Sequence, residues 1–569
     1  MNGFFRSHAR PFALLLALLG LLYFWRLGDH GLLEPDEGRY SEIPREMLAT
    51  GDWVTPRLNG VKYFEKPVLY YWMSALSLRT LGETELAARA VPALSALGGA
   101  ALTYVAAAPH GPRGAFLSGL MVGTSLVWFA LAHITLTDMA LATFLTLAFY
   151  GLYRGVTGNR RWLLAGYAGM ALALLTKGLI GVVLPGMVGV AWALGTRRWS
   201  LLWRAFSLPG ILVFLALAGP WFALVMLRNP DFAWFFFVHE HFLRYATLNA
   251  NRYQPGWFFL PILLLGFLPW TGNLLQGLRD GLAALRGLGA DRRLREDDEA
   301  PAGPGEEALF LLLWAGVVLL FFSVSKSKLV PYILPVFPPL GVLAGTALDR
   351  ILADQDRRRL LWGLAGNGAV CLLLGAALLL YPHHQDRFAP EVLAPVSLPL
   401  AAVLGAVGIL PFLAGLRRKI GGAVLLLCLG SLAMGITFKG LFDFYGQIRS
   451  AKGVAAIVAR HATPDAVVAD YRDYDQGLAF YLKRRITLVN DPGGFGELSF
   501  GQRAENPDWF VTPEEFARIW RGPKPVLAVA DPEKLEEFRR MGLTFRVLGS
   551  DPLYYGKTVV TNQKTEALP

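Results

Sequence analysis

Residues 207–227 read SLPGILVFLALAGPWFALVML, an unbroken apolar run with no charged side chain. As a helix rising 1.5 Å per residue it is long enough to cross a hydrocarbon layer about 30 Å thick. Twelve further apolar blocks follow the same pattern, at 11–27, 86–108, 114–132, 139–153, 162–176, 178–195, 257–275, 308–324, 329–347, 360–380, 395–415 and 421–442. They are continuous rather than alternating, which argues against an outer-membrane barrel. A chain that is 54% hydrophobic and only 17% charged is also neither a soluble multidomain enzyme nor a disordered protein. The expected fold is a multi-span α-helical membrane protein of about thirteen transmembrane helices. The stretch Val68 to Leu81 is too short to cross comfortably and is read as interfacial or re-entrant. Block 11–27 follows Arg6 and Arg10 as a signal peptide would. No small-residue cleavage site follows it and Arg26 interrupts its end, so it is read as a retained first span.

The net charge of +11 has a membrane explanation. With the N-terminus in the cytoplasm, every inside loop is basic. Those loops carry Arg113; Arg154, Arg160 and Arg161; Arg197, Arg198 and Arg204; Arg350 and Arg357 to Arg359; Arg417, Arg418 and Lys419; and five arginines in 276–307. That is the positive-inside pattern, and it makes nucleic acid an unnecessary partner. Counting Val68 to Leu81 as a span would invert every later loop. The reading is therefore a membrane domain over 1–442, with outside segments at 28–85 and 228–256, and an outside C-terminal domain over 443–569. In that last region, helix-like stretches (Ile448 to Arg460, Pro513 to Trp520, Pro532 to Met541) alternate with β-branched runs (Ala466 to Ala469, Ile486 to Val489, Val526 to Val529). A small α/β layer with a largely parallel sheet is expected. Asp491-Pro-Gly-Gly reads as a turn. Cys371 and Cys428 both lie inside spans and imply no disulfide framework.

Ionisable residues inside or beside an apolar span cost ~2.5–3.5 kcal/mol each on insertion scales. In this topology those without an orientation role gather on the outside face, whereas a transporter would hold them near the midplane. The densest group is Glu34-Pro-Asp-Glu-Gly-Arg-Tyr-Ser-Glu-Ile-Pro-Arg-Glu-Met-Leu. Asp36 is placed to cap a short helix, with Arg39 and Tyr40 on the same face and Ile43, Met47 and Leu48 on an apolar side that would lie flat on the membrane. Capping alone would also explain Asp36. Lys62-Tyr-Phe-Glu-Lys-Pro leaves Glu65 and Lys66 at the boundary, where they could simply pair with each other. Asp138 opens a span and is again a plausible cap. Lys177 stands alone between apolar stretches, where a lone cation most naturally meets a phosphate or a carboxylate. Ser325-Lys-Ser-Lys puts Lys326 and Lys328 on an outside turn against the orientation rule, with Tyr332 following, which argues for an anion there. His239 and Arg244 stand in an aromatic belt beginning at Trp234. Glu65 with His239 could make a two-ligand divalent metal site such as zinc, although two ligands alone carry little weight.

Carboxylates and cations on one face suit a lipid-phosphate substrate entering from the bilayer. The cations would neutralise the phosphate and stabilise it as a leaving group, and carboxylates would stabilise an oxocarbenium-like centre. The sequence from Glu34 to Trp53, followed by Tyr63-Phe-Glu-Lys-Pro, resembles the first periplasmic loop of the bacterial 4-amino-4-deoxy-L-arabinose lipid A transferases. These are integral-membrane glycosyltransferases of the C-type fold, related to protein O-mannosyltransferases. Thr-Asp138, Thr-Lys177, His-Glu-His-Phe-x-x-Arg244 and Ser-Lys-Ser-Lys-x-x-x-Tyr332 recur in the same order. The resemblance implies transfer of aminoarabinose from undecaprenyl phosphate to a lipid A phosphate at the periplasmic face of the inner membrane, a lipopolysaccharide modification of the kind linked to polymyxin resistance. It requires no cofactor. Its functional positions would be Asp36, Arg39, Tyr40, Tyr63, Glu65, Lys66, Asp138, Lys177, Arg244 and Tyr332.

As roles, Asp36 is the expected catalytic carboxylate. Lys66, Lys177 and Arg244 are the donor-phosphate ligands, and Arg39 with Lys326 and Lys328 lies near the acceptor phosphate. Asp138 would recognise the sugar's amino group. Two alternatives remain open at this stage: the same fold acting on protein or another glycan, and a non-catalytic lipid-sugar flippase or binding protein.

Overall fold

The computed structural model describes residues 2–243, 253–288, 302–385 and 387–563, and the chain forms two compact units. The first comprises Met1–Trp25, Pro92–His133 and Thr137–Gly440; the second comprises Arg26–Val91, Ile134–Leu136 and Leu441–Pro569.

The first unit is helical. Each apolar block of the sequence falls on a helix or a broken helix pair. Among the described residues, nine helices are long and apolar enough to cross a membrane, among them Leu208–Arg228 and Pro304–Val324. The pair Phe259–Gly266 and Thr271–Gly287 is bent by 111°. Trp162–Lys177 and Ile180–Thr196 are shorter apolar helices, and block 114–132 divides at Ser125 into Pro112–Thr124 and Leu126–Leu131.

Helices Thr137–Thr157 and Trp162–Lys177 pack as an antiparallel hairpin at backbone distance. Glycine makes that approach feasible. A Cβ on Gly169 would stand 2.5 Å from the Ala148 nitrogen, and one on Gly151 would stand 2.5 Å from the Gly166 nitrogen. Small residues at such seams let helices associate in lipid, where the hydrophobic effect gives no help. The hairpin brings the first turn of one helix, with Asp138, beside the last turn of the other, with Lys177.

The second unit contains a hairpin of β1 (Arg57–Leu58) and β2 (Val61–Lys62) and a six-stranded sheet. The sheet consists of β3 (Val467–Tyr471), β4 (Thr487–Val489), β5 (Phe510–Val511), β6 (Val526–Ala530), β7 (Arg546–Asp551) and β8 (Lys557–Thr561), ordered β5-β4-β3-β6-β8-β7. Strands β3 to β6 are mutually parallel; β8 runs antiparallel to β6, and β7 antiparallel to β8. The expected α/β layer is therefore present, with two antiparallel strands added at one edge. Val526 to Ala530 is buried throughout, as a central parallel strand should be. Aromatic residues Phe516, Trp520 and Phe538 fill the core on one face. Thr512 and Glu515 close a capping box at the start of helix Pro513–Trp520.

This unit also takes in Arg26–Val91, so the segment near the N-terminus folds with the C-terminal residues, a grouping that differs from the 1–442 and 443–569 division. Helix Asp36–Thr50 packs on helix Gln476–Leu482 so closely that a Cβ on Gly38 would lie 2.3 Å from the Gly477 nitrogen. The Glu34 carboxylate accepts the Gly477 N–H at 2.7 Å. Asn59 exchanges two hydrogen bonds with the backbone of Ile486, and Arg57 donates to Glu505 at 2.7 Å.

Helix Asp36–Thr50 is not the surface helix that its sequence predicts. Every residue from Glu37 to Met47 is buried, so Asp36–Thr50 does not lie flat on a membrane with one polar face in water. Its charged side chains are tolerated because partners are built in. Arg89, fully buried, gives its guanidinium to both oxygens of Glu37 at 2.9 and 2.6 Å and to the carbonyls of Leu27, His30 and Gly31. Glu37 in turn accepts the Leu33 and Thr135 N–H groups. All strong donors and acceptors of this buried pair are used, which is the condition under which such a pair is tolerated. Val68 to Leu81 forms helix Leu69–Leu81, too short to span, as expected.

Candidate functional site

The candidate side chains form two groups, one in each unit. In the second unit the centre is Arg39, whose guanidinium is 7% exposed. It reaches Glu497 at 2.6 Å and Asp36 at 3.2 Å, and it donates to the Tyr63 hydroxyl at 3.2 Å and to the Gln476 side-chain oxygen at 3.2 Å. Gln476 in turn donates to Glu497. Burial works against the charge on Arg39, but Tyr63, Glu497, Tyr40 and Asp36 outweigh it and hold its pKa well above the ordinary value. Burial pushes the Glu497 carboxyl up to about 7; Arg39 opposes that rise, and Glu65 and Asp36 add to it. Asp36 is the outermost member, its side chain 48% exposed. It is the first helical residue rather than the cap: Pro35 holds the cap position and makes no side-chain hydrogen bond there. A carboxylate in the first turn still complements the helix dipole.

Around this core, the Tyr40 ring stacks on Tyr71 at 6.2 Å and meets Tyr70 edge-on at 5.9 Å, with the Arg39 guanidinium 5.6 Å from the Tyr40 centroid. Glu65 and Lys66 are neighbours at 3.7 Å, and the Lys66 ammonium also donates to the Glu65 carbonyl at 2.9 Å.

In the first unit, Lys177 and Asp138 form an ion pair with side chains only 13% and 9% exposed. The Lys177 ammonium stands 4.7 Å from the Tyr332 ring centroid. Of the two partners its sequence context allows, a phosphate or a carboxylate, the antiparallel hairpin supplies Lys177 with a carboxylate. Two of the three positions that an ammonium offers for a partner are thus defined, one carboxylate and one aromatic face. Gly178, with φ +98°, ends the helix immediately after it.

In the serine–lysine turn, Lys328 is buried and donates to the Gln254 and Ser325 carbonyls at 2.8 and 2.5 Å, which ties the turn to residue 254. Lys326 is exposed. His239 lies in the π-helical segment Trp234–Leu243, stacked on Phe235 at 5.0 Å and 3.4 Å from Glu240. Arg244 lies outside the described residues. Among the described residues no group of three or more His, Cys, Asp or Glu is placed to hold a metal ion.

Sequence reasoning does not reach Glu497 or Gln476. The only sequence signal near Glu497 was the turn at Asp491-Pro-Gly-Gly, which precedes its short 3-10 segment Gly496–Leu498.

Together these features define a multi-span helical membrane protein that carries ionic clusters in both its membrane unit and its α/β unit. Two family descriptions match the chain: "Aminoarabinose transferase C-terminal domain" over residues 454–562, and "Dolichyl-phosphate-mannose-protein mannosyltransferase" over residues 65–223. A crystal structure of ArnT from Cupriavidus metallidurans bound to undecaprenyl phosphate is 32% identical, with a TM-score of 0.82 over 98% of this chain and 99% of that one. Its apo state gives 0.83 at the same identity. The undecaprenyl phosphate-alpha-4-amino-4-deoxy-L-arabinose arabinosyl transferase of Aeromonas salmonicida is 38% identical over 375 residues, 64% of this chain. Its counterpart from Pseudomonas aeruginosa PAO1 is 35% identical over 380 residues, 66% of this chain. The match spans 65% of the length of each of these two relatives. The chain belongs to the ArnT family, the aminoarabinose transferases.

Proposed function

We propose that this protein is a glycosyltransferase that moves 4-amino-4-deoxy-L-arabinose from undecaprenyl phosphate to a lipid A phosphate, at the periplasmic face of a bacterial inner membrane. The observation that supports it most is the end-to-end likeness, at 32% identity, to an ArnT that holds undecaprenyl phosphate. In the reaction the bond between the anomeric carbon and the donor phosphate oxygen breaks. The electron pair leaves with undecaprenyl phosphate, and an oxygen of the acceptor phosphate forms the new glycosidic bond. A phosphomonoester has a second pKa of about 6, so the donor phosphate leaves without strong acid assistance and an acceptor phosphate attacks as an anion without a general base. What the protein must supply is charge stabilisation and alignment.

Asp36, exposed at the start of its helix, is the carboxylate proposed to stabilise positive charge at the anomeric carbon or to orient the acceptor. Arg39, fixed by Glu497, Gln476 and Tyr63, is a rigid cation for a phosphate. Within the first unit Lys177 is proposed as a donor-phosphate ligand, Asp138 holding its ammonium in place, with Arg244 as a further candidate; within the second unit Lys66 is proposed as a phosphate ligand. Asp138 is proposed for this positioning task in preference to recognition of the sugar's amino group, because its carboxylate is already committed to Lys177. The match of residues 65–223 to protein mannosyltransferases keeps one second reading in view, a protein acceptor with the same donor. Incubating the purified protein with the lipid-linked sugar and lipid A separates the readings. Lipid A gaining one aminoarabinose, with undecaprenyl phosphate released in equal amount, supports the proposal. Release of undecaprenyl phosphate only when a protein acceptor is present supports the second reading, and no release at all contradicts both.

A further inference from the structure

Helix Leu69–Leu81 contributes Tyr71 to the second unit, a residue that neither the motif order nor the roles above employ. Its side chain is fully buried, and among the described residues its hydroxyl has no hydrogen-bond partner. Buried polar groups without partners are uncommon and costly, so each one calls for a reason.

The surroundings supply one. The Tyr71 ring lies parallel to Tyr40, which itself meets Tyr70 edge-on. Burial raises the phenol well above the usual tyrosine value; Tyr40, Glu65 and Glu497 add to that rise and Arg39 opposes it. The hydroxyl is therefore neutral, and its ring adjoins the Arg39 cluster through Tyr40. Aromatic faces, carboxylates and a neutral hydroxyl donor recognise a sugar better than they recognise a phosphate. Apolar ring faces cover C–H surfaces, carboxylates accept from hydroxyl or ammonium groups, and a phenol donates to an oxygen. The carboxylates Asp36, Glu65 and Glu497 stand beside the cations Arg39 and Lys66, so acceptors for a hydroxyl or ammonium group of the sugar lie next to the cations proposed for phosphate.

We infer that Tyr71 is a sugar-binding residue whose hydroxyl donates a hydrogen bond to an oxygen of the sugar carried by the lipid donor. This rests on the transferase reading above and deepens it by naming which part of the donor the aromatic cluster holds. The hydroxyl is sealed in the structure, so the proposed contact requires the side chains around it to part when the donor binds.

The test uses the full-length protein and Tyr71→Phe, which deletes one oxygen and keeps the ring. Affinity is measured for the lipid-linked aminoarabinose and, separately, for undecaprenyl phosphate, together with the Tm of the protein without lipid. The expected result is about tenfold weaker binding of the lipid-linked sugar, in line with one lost hydrogen bond. Undecaprenyl phosphate affinity should stay within twofold, and Tm should be unchanged or raised because an unpartnered buried oxygen has been removed. Unchanged affinity for the sugar lipid, or equal weakening toward both lipids, overturns the inference. So does a lowered Tm that accompanies the loss, since that marks a structural hydroxyl. Wild-type protein that binds neither lipid overturns the transferase reading and this inference with it, whereas wild-type binding with an unaffected Tyr71→Phe overturns the inference alone.

Discussion

Glu42 lies three residues beyond Arg39, 1% exposed, and holds Arg45 through two 2.6 Å hydrogen bonds. Even so, burial pushes its carboxyl up to about 8, with Arg45 opposing and its neighbour Glu46 adding to the rise. An unfolded glutamate titrates near 4.3, so between about pH 4.3 and 8 the folded protein keeps a proton that the unfolded chain has lost. This contribution is whole below that window, declines through it by at most ~1.4 kcal/mol per pH unit, and is gone above it. Tm should therefore fall from pH 5 to pH 8, and Glu42→Gln, which cannot lose the proton, should flatten that slope; parallel curves for the two proteins would reject the assignment. At this scale the sequence identified most of the charged residues but not their partners. Asp36, Arg39, Asp138 and Lys177 stood out because charge is costly beside apolar spans. That Arg39 would meet Glu497, or that Lys177 would meet Asp138, depends on contacts between residues distant in the chain, which no local pattern encodes.

Helices Thr137–Thr157 and Trp162–Lys177 show how an element delivers a residue. Their contact is made by backbone, so the Asp138–Lys177 pair depends on glycines far from either charge. A leucine at Gly169 would have to place atoms where the Ala148 nitrogen and the Phe144 carbonyl already are, at 2.5 and 2.8 Å from its Cβ. Overpacking commonly costs ~1–3 kcal/mol, and here the obstacle is backbone, so Gly169→Leu should sit at the upper end and lower both Tm and transfer. Gly186→Leu is the control, because a Cβ there has nothing within 4 Å; equal effects from the two variants would show that the seam does not position Lys177. Elements with a strong period or a long apolar run were legible, including Pro513–Trp520 and the strands at Val467, Thr487 and Val526. The pair β7 and β8 was not. Residues 546–551 read RVLGSD, which carries turn-like residues, an irregular register between Val547 and Gly549, and no clean alternation.

Across the whole molecule, hydropathy made the membrane region readable because spanning a bilayer imposes length and composition on each segment separately. The folding of Arg26–Val91 with the C-terminal residues was hidden, because it rests on pairings such as Glu34 with Gly477 and Arg57 with Glu505. This grouping gives the C-terminal domain a task. Glu497 and Gln476 hold Arg39, three residues from the proposed catalytic Asp36. The central claim is that Asp36 serves the transfer of a lipid-linked sugar in a protein built this way. The most direct measurement is a single-turnover assay of wild type and Asp36→Asn, with lipid-linked aminoarabinose and lipid A, following undecaprenyl phosphate release and lipid A mass. The account predicts stoichiometric release and aminoarabinose-modified lipid A for wild type. For Asp36→Asn it predicts a rate at least a hundredfold lower at unchanged Tm, on the scale of removing one group that stabilises transition-state charge. Near-normal turnover by Asp36→Asn would contradict it.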